Sequence, residues 1–307
     1  MLTKPAIDID PELLRSSAAA GLHSYAQVSD HLAKEETGHI PTILATLVPG
    51  GPWAWAIVPF TQEDGSFDLP LQTTYEGIEE MYGIIRGRSD VMGTEVLAEV
   101  RGSWFVFAEA YSHMKVKETG EEHSFENVLM LPTTSGPGIT GEIAFWNMGR
   151  DKLGQGLELA PELSPLDMRR NLIDLHEAYL AGLRSGDAAA VVSSFSRGAK
   201  AGIRDYVDDT GTLVHLEDLD GMSRHHQAFF DLYDVQAVEV LERVATYWYV
   251  FAEVRIEAVA RSGDRAGERI AFHTGEVFIP GRENKFMVQL GHGTDVNPSE
   301  TALPQPV

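Results

Sequence analysis

The chain of 307 residues contains no cysteine. This absence excludes disulfides, thiolate metal sites and cysteine nucleophiles together. Basic residues are scarce as well, since 24 lysines and arginines stand against 46 aspartates and glutamates, for a formal net charge of −22. A strongly negative chain repels a polyanion at long range, and no basic run offsets the charge. Nucleic acid is therefore not an expected partner.

Long apolar runs and several familiar motifs are also missing. No stretch approaches the roughly 20 apolar residues that span a bilayer, and residues 1–10 lack the basic and then apolar order of a signal peptide. We therefore expect a cytoplasmic protein without a membrane partner. The sequence has no GxGxxG after a strand, no GxxxxGK[ST] loop, no HExxH and no GxSxG, so nucleotide-driven, zincin and serine-hydrolase chemistry lose support. No cofactor is expected.

What the chain does contain is an internal repeat. Residues 95–109 (EVLAEVRGSWFVFAE) recur as residues 239–253 (EVLERVATYWYVFAE), identical at nine of fifteen positions with an offset of 144. The same offset carries Gly77 onto Gly221. A repeat of this length predicts two domains of one kind, which agrees with a chain longer than the roughly 100–200 residues of one domain.

The domain boundaries are predicted from the register of the repeat and from the glycine and proline residues that interrupt regular structure. The expected division is an N-terminal extension over 1–21, a first domain over 22–151, a Gly- and Pro-containing linker over 152–166, a second domain over 167–295 and a flexible, Pro-rich tail over 296–307.

The order of elements is clearest in the second copy. Apolar periodicity predicts a helix over 167–184, and the turn at 185–187 caps a short second helix. Further elements are predicted as a strand over 201–207, a turn at 209–211, a helix over 221–233 and strands over 235–246, 248–260 and 269–289, the last broken at Pro280. Helices first and antiparallel strands last predict an α+β fold with a curved sheet around helices.

Five features of the second copy carry a family resemblance: Tyr179 on the first helix, the turn at 186–187, Phe195 on the second helix, the strand at 203–205 and Gly221 opening the third helix. In this order they resemble the cone-shaped domain of the superfamily of nuclear transport factor 2 (NTF2), SnoaL and ketosteroid isomerase. In that superfamily the sheet curls around an apolar cavity and serves isomerases, dehydratases, epoxide hydrolases, cyclases and binding modules. The fold by itself therefore settles no chemistry.

The resemblance implies a catalytic site in the second copy. In the steroid isomerases of the superfamily, a first-helix tyrosine polarises a ketone and a first-strand aspartate shuttles the proton. Tyr179 and Asp205 fall at these positions, whereas the first copy has His31 and Pro59 there. Since proline cannot act as a base, the first copy lacks this particular site.

A third catalytic candidate lies on the third helix. Positions one, four and eight after the opening glycine are expected to face inward, which gives Met222, His225 and Phe229 in the second copy, with Met81 in place of the histidine in the first. A histidine facing a cavity beside an aspartate is a plausible acid–base pair near neutral pH. The alternative is a core histidine satisfied by one hydrogen bond.

Other side chains are expected to bind substrate in the same cavity: Arg204, Tyr206, Met222, His226, Phe229, Tyr249, Phe251, Glu253, His273 and Glu276. Because Glu253 has an identical counterpart in Glu109, a structural role shared by both copies is the simpler interpretation of that pair.

The first copy offers a second aromatic cavity with its own polar groups: His31, Trp53, Trp55, Tyr75, Tyr82, Arg86 and Trp146. His31 and Glu35 stand four residues apart on one helical face. No third ligand is recognisable beside them, so a solvated pair is favoured over a metal site.

The leading hypothesis is a cofactor-independent acid–base enzyme, a lyase, dehydratase or isomerase, that acts on a small, largely apolar substrate bearing a carbonyl or hydroxyl group. The cavity of the second domain is the expected site. Epoxide hydrolysis in the same cavity is one alternative, and a non-catalytic protein that binds a hydrophobic ligand or acts as a scaffold is the other. The two domains are expected to pair through their open sheets, and homo-oligomer formation is left open.

Overall fold

The computed structural model of this chain describes residues 11–51, 53–58, 69–133, 137–147, 163–204, 213–281 and 283–294. Within them, two six-stranded sheets form, each packed against its own helices. The α+β class and the two domains predicted from the repeat are thereby confirmed. None of the described helices is long and apolar enough to cross a membrane.

Domain 1 consists of three helices and one mixed sheet. Its elements are α1 (Pro11–Thr37), α2 (Ile40–Leu44), β1 (Ala54–Val58), β2 (Leu71–Gln72), α3 (Tyr75–Arg88), β3 (Ser89–Arg101), β4 (Phe105–Val116), β5 (Glu122–Pro132) and β6 (Gly141–Asn147). The strand order is β2-β1-β6-β5-β4-β3. Only the β1–β6 pair among these neighbours is parallel.

Domain 2 repeats this plan. Its elements are α4 (Pro165–Ser185), α5 (Ala188–Val192), β7 (Phe195–Arg204), β8 (Leu213–Leu216), α6 (Leu219–Leu232), β9 (Tyr233–Ala245), β10 (Val250–Ala260), β11 (Arg269–Pro280) and β12 (Phe286–Thr294). The strand order is β8-β7-β12-β11-β10-β9, with β7 and β12 parallel.

Helix ends follow local sequence signals that the two copies share. Thr74 caps α3 by accepting a hydrogen bond from the backbone N–H of Gly77, and Asp218 caps α6 in the same way from Gly221. Helix α4 ends at Gly186, whose φ of 63° is the left-handed conformation that glycine adopts without steric cost. Asp187 then caps α5, as the turn at 185–187 predicts.

One detail differs from the expected element order, and two more concern the predicted bounds and turns. Phe195 begins strand β7 instead of lying on the second helix, because α5 ends already at Val192. Helix α1 begins at Pro11, well before residue 22, where domain 1 is predicted to start. The predicted turn at 209–211 lies outside the described residues.

The two sheets face each other, and their facing sides form one apolar core. Phe107 of β4 stacks on Phe251 of β10 with ring centroids 4.0 Å apart. These residues are equivalent in the repeat, so the contact is the kind that a two-fold interface makes on its axis. Gly275 of β11 faces the tip of Met130 on β5, so a Cβ there would require the methionine side chain to shift. The open sheets of the two domains pack against each other.

The opposite sides of the sheets enclose the two domain interiors. Domain 2 is filled by aromatic rings: Tyr179, Phe195, Phe229, Phe230, Phe272, Phe278 and Phe286. Domain 1 has a sparser aromatic content inside, with Trp55 and Tyr82 among mainly aliphatic residues. This difference decides where a substrate could be held.

Candidate functional site

In domain 2, the hydroxyl of Tyr179 is already occupied by neighbouring side chains. It donates toward Glu276 (Tyr179 Oη to Glu276 Oε1, 3.3 Å) and accepts from Gln289 Nε2 at 3.2 Å, while Gln289 Nε2 also reaches Glu276 Oε1 at 3.0 Å. All three residues are buried. Burial and the Glu276 charge raise the pKa of Tyr179 well above its usual value of 10, so the phenol stays neutral.

The other predicted members of this site do not join Tyr179 among the described residues. Asp205 and Tyr206 lie outside the described residues, as does the side chain of Arg204. On α6 the prediction that His225 faces inward is wrong: the buried residues are Met222, His226, Phe229 and Phe230. Position 226 lies four residues after Met222, close to a full helical turn, and so takes the inward place.

His226 is a neutral core residue. It is 6% exposed, and burial, followed by the neighbouring His225, lowers its pKa from 6.5 to about 3. Its ring lies edge-on to that of Tyr179, with centroids 6.2 Å apart. A histidine with so low a pKa is a poor proton acceptor near neutral pH.

Four predicted substrate-binding residues lie on the domain interface instead of in a cavity. Tyr249 donates to Glu109 Oε2 at 2.9 Å, Phe251 stacks on Phe107, and Glu253 accepts from Trp104 Nε1 at 2.9 Å. His273 lies on the same face, 3.8 Å from Glu253. Side chains alternate along a strand, and these positions point away from the domain 2 interior. Met222, Phe229 and Glu276 do lie inside domain 2.

Domain 1 has a buried polar cluster that centres on the hydroxyl of Tyr82. From α3, this oxygen lies 2.6 Å from Glu35 Oε1 and 3.3 Å from His31 Nε2, both on α1, and 3.1 Å from Glu142 Oε2 on β6. Trp55 Nε1 on β1 donates to the same Glu142 oxygen at 3.1 Å. We call His31, Glu35, Tyr82 and Glu142 the Tyr82 cluster. His31, Tyr82 and Glu142 are buried, and Glu35 is partly exposed.

The tautomer of His31 follows from its neighbour Thr46. The Thr46 hydroxyl donates its only hydrogen to the backbone oxygen of Ile43 at 2.6 Å. It must therefore accept from His31 Nδ1–H, at 2.5 Å. Nδ1 keeps its hydrogen, and Nε2 is the nitrogen that faces the Tyr82 cluster.

Two carboxylates in this cluster differ in their affinity for protons. Burial, followed by repulsion from Glu35, raises the pKa of Glu142 from 4.5 to about 7. Burial would also raise the pKa of Glu35, but hydrogen bonds and charge from His31, with a hydrogen bond from Tyr82, hold it below its usual value. Environments that separate the pKa values of two carboxyl groups are typical of acid–base sites.

The pKa values of the remaining two members, His31 and Tyr82, are both raised. Burial lowers the pKa of His31, but Glu35 and then Glu142 outweigh it, and the net shift is upward from 6.5. Burial and both carboxylates raise the pKa of Tyr82 well above 10. The neutral phenol has one proton, for which the carboxylates of Glu35 at 2.6 Å and Glu142 at 3.1 Å are both acceptors.

The Tyr82 cluster opens into a cavity of about 170 Å³. Glu35, Tyr82, Arg86 and Glu142 lie at its polar end, and its walls are mainly apolar: Leu32, Ile57, Ile85, Val91, Val96, Met114, Phe125, Leu129 and Trp146. A second cavity of about 320 Å³ shares four lining residues with it: Ile57, Ile85, Met114 and Trp146. We call them the inner and outer cavities.

The residues predicted for domain 1 fall into three places. Tyr82, Arg86 and Trp146 line the inner cavity, while Trp55 is buried behind Glu142. His31 is buried within the Tyr82 cluster. Trp53 donates to the backbone oxygen of Val48 and packs on Tyr75, and neither residue lines the inner or outer cavity.

The third ligand that the sequence pattern lacked is Glu142. The ligand atoms of His31, Glu35 and Glu142 lie within 4.8 Å of one another, close enough to hold a cation. The Tyr82 hydroxyl, however, already contacts all three and supplies a hydrogen-bonding partner at their centre. The residues fit a proton-sharing cluster, in which the His31 charge offsets Glu35.

Aligning the two copies at the single offset of 144 does not identify Glu142, because the offset changes along the chain. Phe107 pairs with Met130, and its counterpart Phe251 pairs with Val277, so strands β5 and β11 correspond at an offset of 147 instead of 144. At the new offset, Glu142 corresponds to Gln289. Its alternation with Trp146 on β6 is the sequence signal that places it inside.

Comparisons with known proteins concern the fold. No protein-family model matches the chain, and no curated protein matches its sequence. An epoxide hydrolase/cyclase-like enzyme of pyran ring formation in polyether salinomycin is similar in structure, with 16% identity, a TM-score of 0.34 and coverage of 41% of this chain and 92% of that one. A provisionally assigned isomerase from Rhodopseudomonas palustris has 10% identity, a TM-score of 0.36 and coverage of 44% and 97%.

A provisionally assigned polyketide cyclase from Xanthomonas campestris pv. campestris has 17% identity, a TM-score of 0.34 and coverage of 45% and 99%. Each match spans most of the solved chain and less than half of this one. At such identities they concern the fold alone.

Proposed function

We propose that this protein is a cofactor-independent acid–base enzyme of cyclase or isomerase type, and that its active site is the Tyr82 cluster and inner cavity of domain 1. Its substrate is small and largely apolar, with a carbonyl or hydroxyl group at the reacting end. The observation that carries the proposal is Glu142: a buried carboxyl group at a cavity wall whose pKa is raised to about 7.

Glu142 is the proposed proton carrier. A group whose pKa lies near the working pH is present in both protonation states and exchanges protons with the least free-energy cost. Glu35 and His31 lie next to it, with His31 Nε2 3.6 Å from Glu35 Oε1, and the shifts of their pKa values, down for Glu35 and up for His31, favour the charged form of each. Tyr82 links the two carboxyl groups by hydrogen-bonding to both.

Arg86 is the proposed stabiliser of negative charge on the substrate. Its guanidinium donates to the backbone oxygen of Glu35. Its Nε–H is buried and has no hydrogen-bond partner among the described residues, although the side chain lines the inner cavity. A cationic donor at the wall of a water-poor cavity stabilises an oxygen on which negative charge develops.

The proposed step begins on a carbon beside a carbonyl group. The Glu142 carboxylate takes a proton from this carbon, and the electrons of the broken C–H bond move onto the carbonyl oxygen near Arg86. Return of the proton from Glu142 to a different carbon completes an isomerisation. In a cyclisation, the same carbon attacks an electrophilic carbon elsewhere in the substrate, and Glu142 returns its proton to the oxygen that becomes a hydroxyl.

Two alternatives make different use of the same cavity. In epoxide hydrolysis Glu142 activates water instead of a C–H bond, so exchange at carbon is absent. A binding protein without chemistry holds the apolar ligand and leaves its protons untouched. The site predicted on Tyr179 and Asp205 in domain 2 stays a prediction, and it requires Asp205 instead of Glu142.

The test measures exchange of the α-hydrogens of cyclohexanone in deuterium oxide by proton NMR. We expect the protein to accelerate exchange and Glu142→Gln to reduce the enzymatic rate by at least about a hundredfold, the usual contribution of a general base. The matched control is Glu239→Gln, which changes a mostly exposed carboxylate on β9. Unchanged exchange in Glu142→Gln would contradict the proposal. Loss of exchange in Asp205→Asn, with Glu142→Gln active, would move the chemistry to domain 2.

A further inference from the structure

Asn127 presents an unused hydrogen-bond acceptor to the inner cavity. It lies on β5 and is 3% exposed. Its Nδ2 donates to Ser112 Oγ on β4 at 2.5 Å, whereas its Oδ1 is buried and has no hydrogen-bond partner within the described ranges. A buried carbonyl oxygen without a partner destabilises the fold, because it has lost its hydrogen bonds to water. A bound molecule that supplies a donor would recover this free energy.

The amide oxygen of Asn127 lies at a distance from Glu142, the proposed proton carrier. Asn127 pairs with Trp146 across β5 and β6, and Glu142 lies four residues earlier on β6. At about 3.3 Å per residue, the two backbone positions are roughly 13 Å apart along the strand. Both side chains reach into the same cavity from these positions. The two polar groups are therefore separate binding points in one cavity.

The cavity around Asn127 is mainly apolar. On β5, Leu129 lies on the side of Asn127 toward Glu142, and Phe125 lies on the side away from it. The other polar side chains near Asn127 among the described lining residues are Trp146, its neighbour on β6, Ser112 and Thr94. Ser112 accepts the amide hydrogen of Asn127, which leaves the amide oxygen as the free group.

We propose that Asn127 is a specificity-determining residue that binds a hydroxyl group on the substrate, away from the reacting carbonyl. The inference rests on the proposed site in domain 1 and narrows its substrate class to an apolar molecule with a remote hydroxyl. A ketone or ether oxygen at this position would leave Asn127 Oδ1 unpaired, so the site discriminates a hydrogen-bond donor from an acceptor. Sites that pair a buried polar group with a substrate hydroxyl reject analogues that lack it.

The test compares binding of borneol and camphor, which share a carbon frame and differ in a hydroxyl against a ketone. By isothermal titration calorimetry, we expect borneol to bind about tenfold more tightly than camphor, the value of one buried hydrogen bond of about 1.4 kcal/mol. Asn127→Leu abolishes the preference by weakening borneol binding. Ser112→Ala abolishes it differently: it frees Asn127 Nδ2, and camphor binding becomes tighter.

The control variant is Glu142→Gln, which removes the proposed proton carrier and is expected to keep the preference for borneol. Equal affinity for the two probes in the unaltered protein, failure of borneol to bind, or a preference that survives Asn127→Leu would overturn the proposal. Since the readout is binding and not turnover, such a result is distinguishable from failure of the proposed function. In that case exchange at cyclohexanone would still depend on Glu142.

Discussion

The indole N–H of Trp104 in domain 1 donates to the carboxylate of Glu253 in domain 2 at 2.9 Å. In the reverse direction, Tyr249 of domain 2 donates to Glu109 of domain 1 at 2.9 Å. Glu109 and Glu253 are the equivalent last residues of the repeated segment. Each copy thus keeps a glutamate because that glutamate receives a hydrogen bond from an aromatic side chain of the other copy. The strongest sequence repeat reflects the contact between the domains.

This contact predicts a loss of stability in Tyr249→Phe. The variant removes only the hydroxyl that bonds to Glu109, a carboxylate whose pKa burial raises above its usual value. Hydrogen bonds to charged acceptors contribute about 1.5–3 kcal/mol, so we expect the free energy of unfolding to fall by that amount. Urea denaturation measures it, with Tyr75→Phe, a partly exposed tyrosine, as control. An equal effect of the two variants would contradict this role.

In the Tyr82 cluster, Tyr82→Phe is expected to raise the pH at which exchange reaches half its maximum. The hydroxyl lowers the pKa of Glu142 through its hydrogen bond, so its removal leaves the carboxylate more basic. The pH–rate profile of cyclohexanone exchange measures the shift. Tyr249→Phe controls for general destabilisation, because it lies on the interface. A profile that stays in place, or moves to lower pH, would be inconsistent with the cluster as described.

Domain 2 contains a buried histidine that predicts acid sensitivity. Burial, followed by the charge of Arg243, lowers the pKa of His176 from 6.5 to about 3, and neither ring nitrogen has a hydrogen-bond partner among the described residues. Because the pKa of His176 is lower in the folded protein than in the unfolded chain, stability that is present above pH 6.5 is lost as the pH falls toward about 3. The loss amounts to about 1.4 kcal/mol per pH unit.

We therefore expect His176→Leu to raise the melting temperature, and to raise it more at about pH 5 than at about pH 7.5. The substitution also removes two buried polar atoms without partners, which stabilises the fold at either pH. His39→Leu, at an exposed position, provides the control for a simple loss of histidine. If His176→Leu and the unaltered protein lost equal stability between the two pH values, His176 would not be the source.

Added zinc tests how the cluster uses its three ligand atoms. We expect the chelator EDTA to leave cyclohexanone exchange unchanged, since protons occupy the cluster. Zinc ions in excess should inhibit, because they compete with the Glu142 proton for His31, Glu35 and Glu142. The Glu142→Gln variant should bind zinc more weakly by calorimetry. Activation by zinc, together with loss of exchange in EDTA, would show that catalysis depends on a metal ion and not on a shared proton.

Local sequence signals predict much of the fold, whereas the location of the candidate site depends on side-chain packing. The repeat, the glycine at 186 and the caps before Gly77 and Gly221 predict domains and helix ends, because each acts within a few residues. Which of the two domains keeps an open cavity depends on the side-chain volumes of elements that are far apart in the sequence. Phe278 and Phe230 fill domain 2 where the equivalent residues of domain 1 are Leu131 and Arg86.

For the same reason, the sequence could identify His31, Tyr82 and Arg86 as candidates without joining them. Glu142, which contacts Tyr82 and lines the same cavity as Arg86, is distant from all three along the chain and lies on a strand whose register shifts relative to the repeat. Hydrogen bonds between such distant positions follow from the sheet topology, which a single sequence does not encode as a local pattern. The inward residue on α6 was missed by one position, since helical spacing allows either three or four residues.

The central claim is that Glu142 holds a proton near neutral pH at the wall of the inner cavity. Its titration can be followed by carbon-13 NMR of the labelled glutamate carboxyl groups, with Glu142→Gln identifying the signal. The account predicts an apparent pKa of about 7 that coincides with the half-maximum of the exchange profile. A Glu142 signal that titrates at its ordinary value of 4.5 would contradict the account.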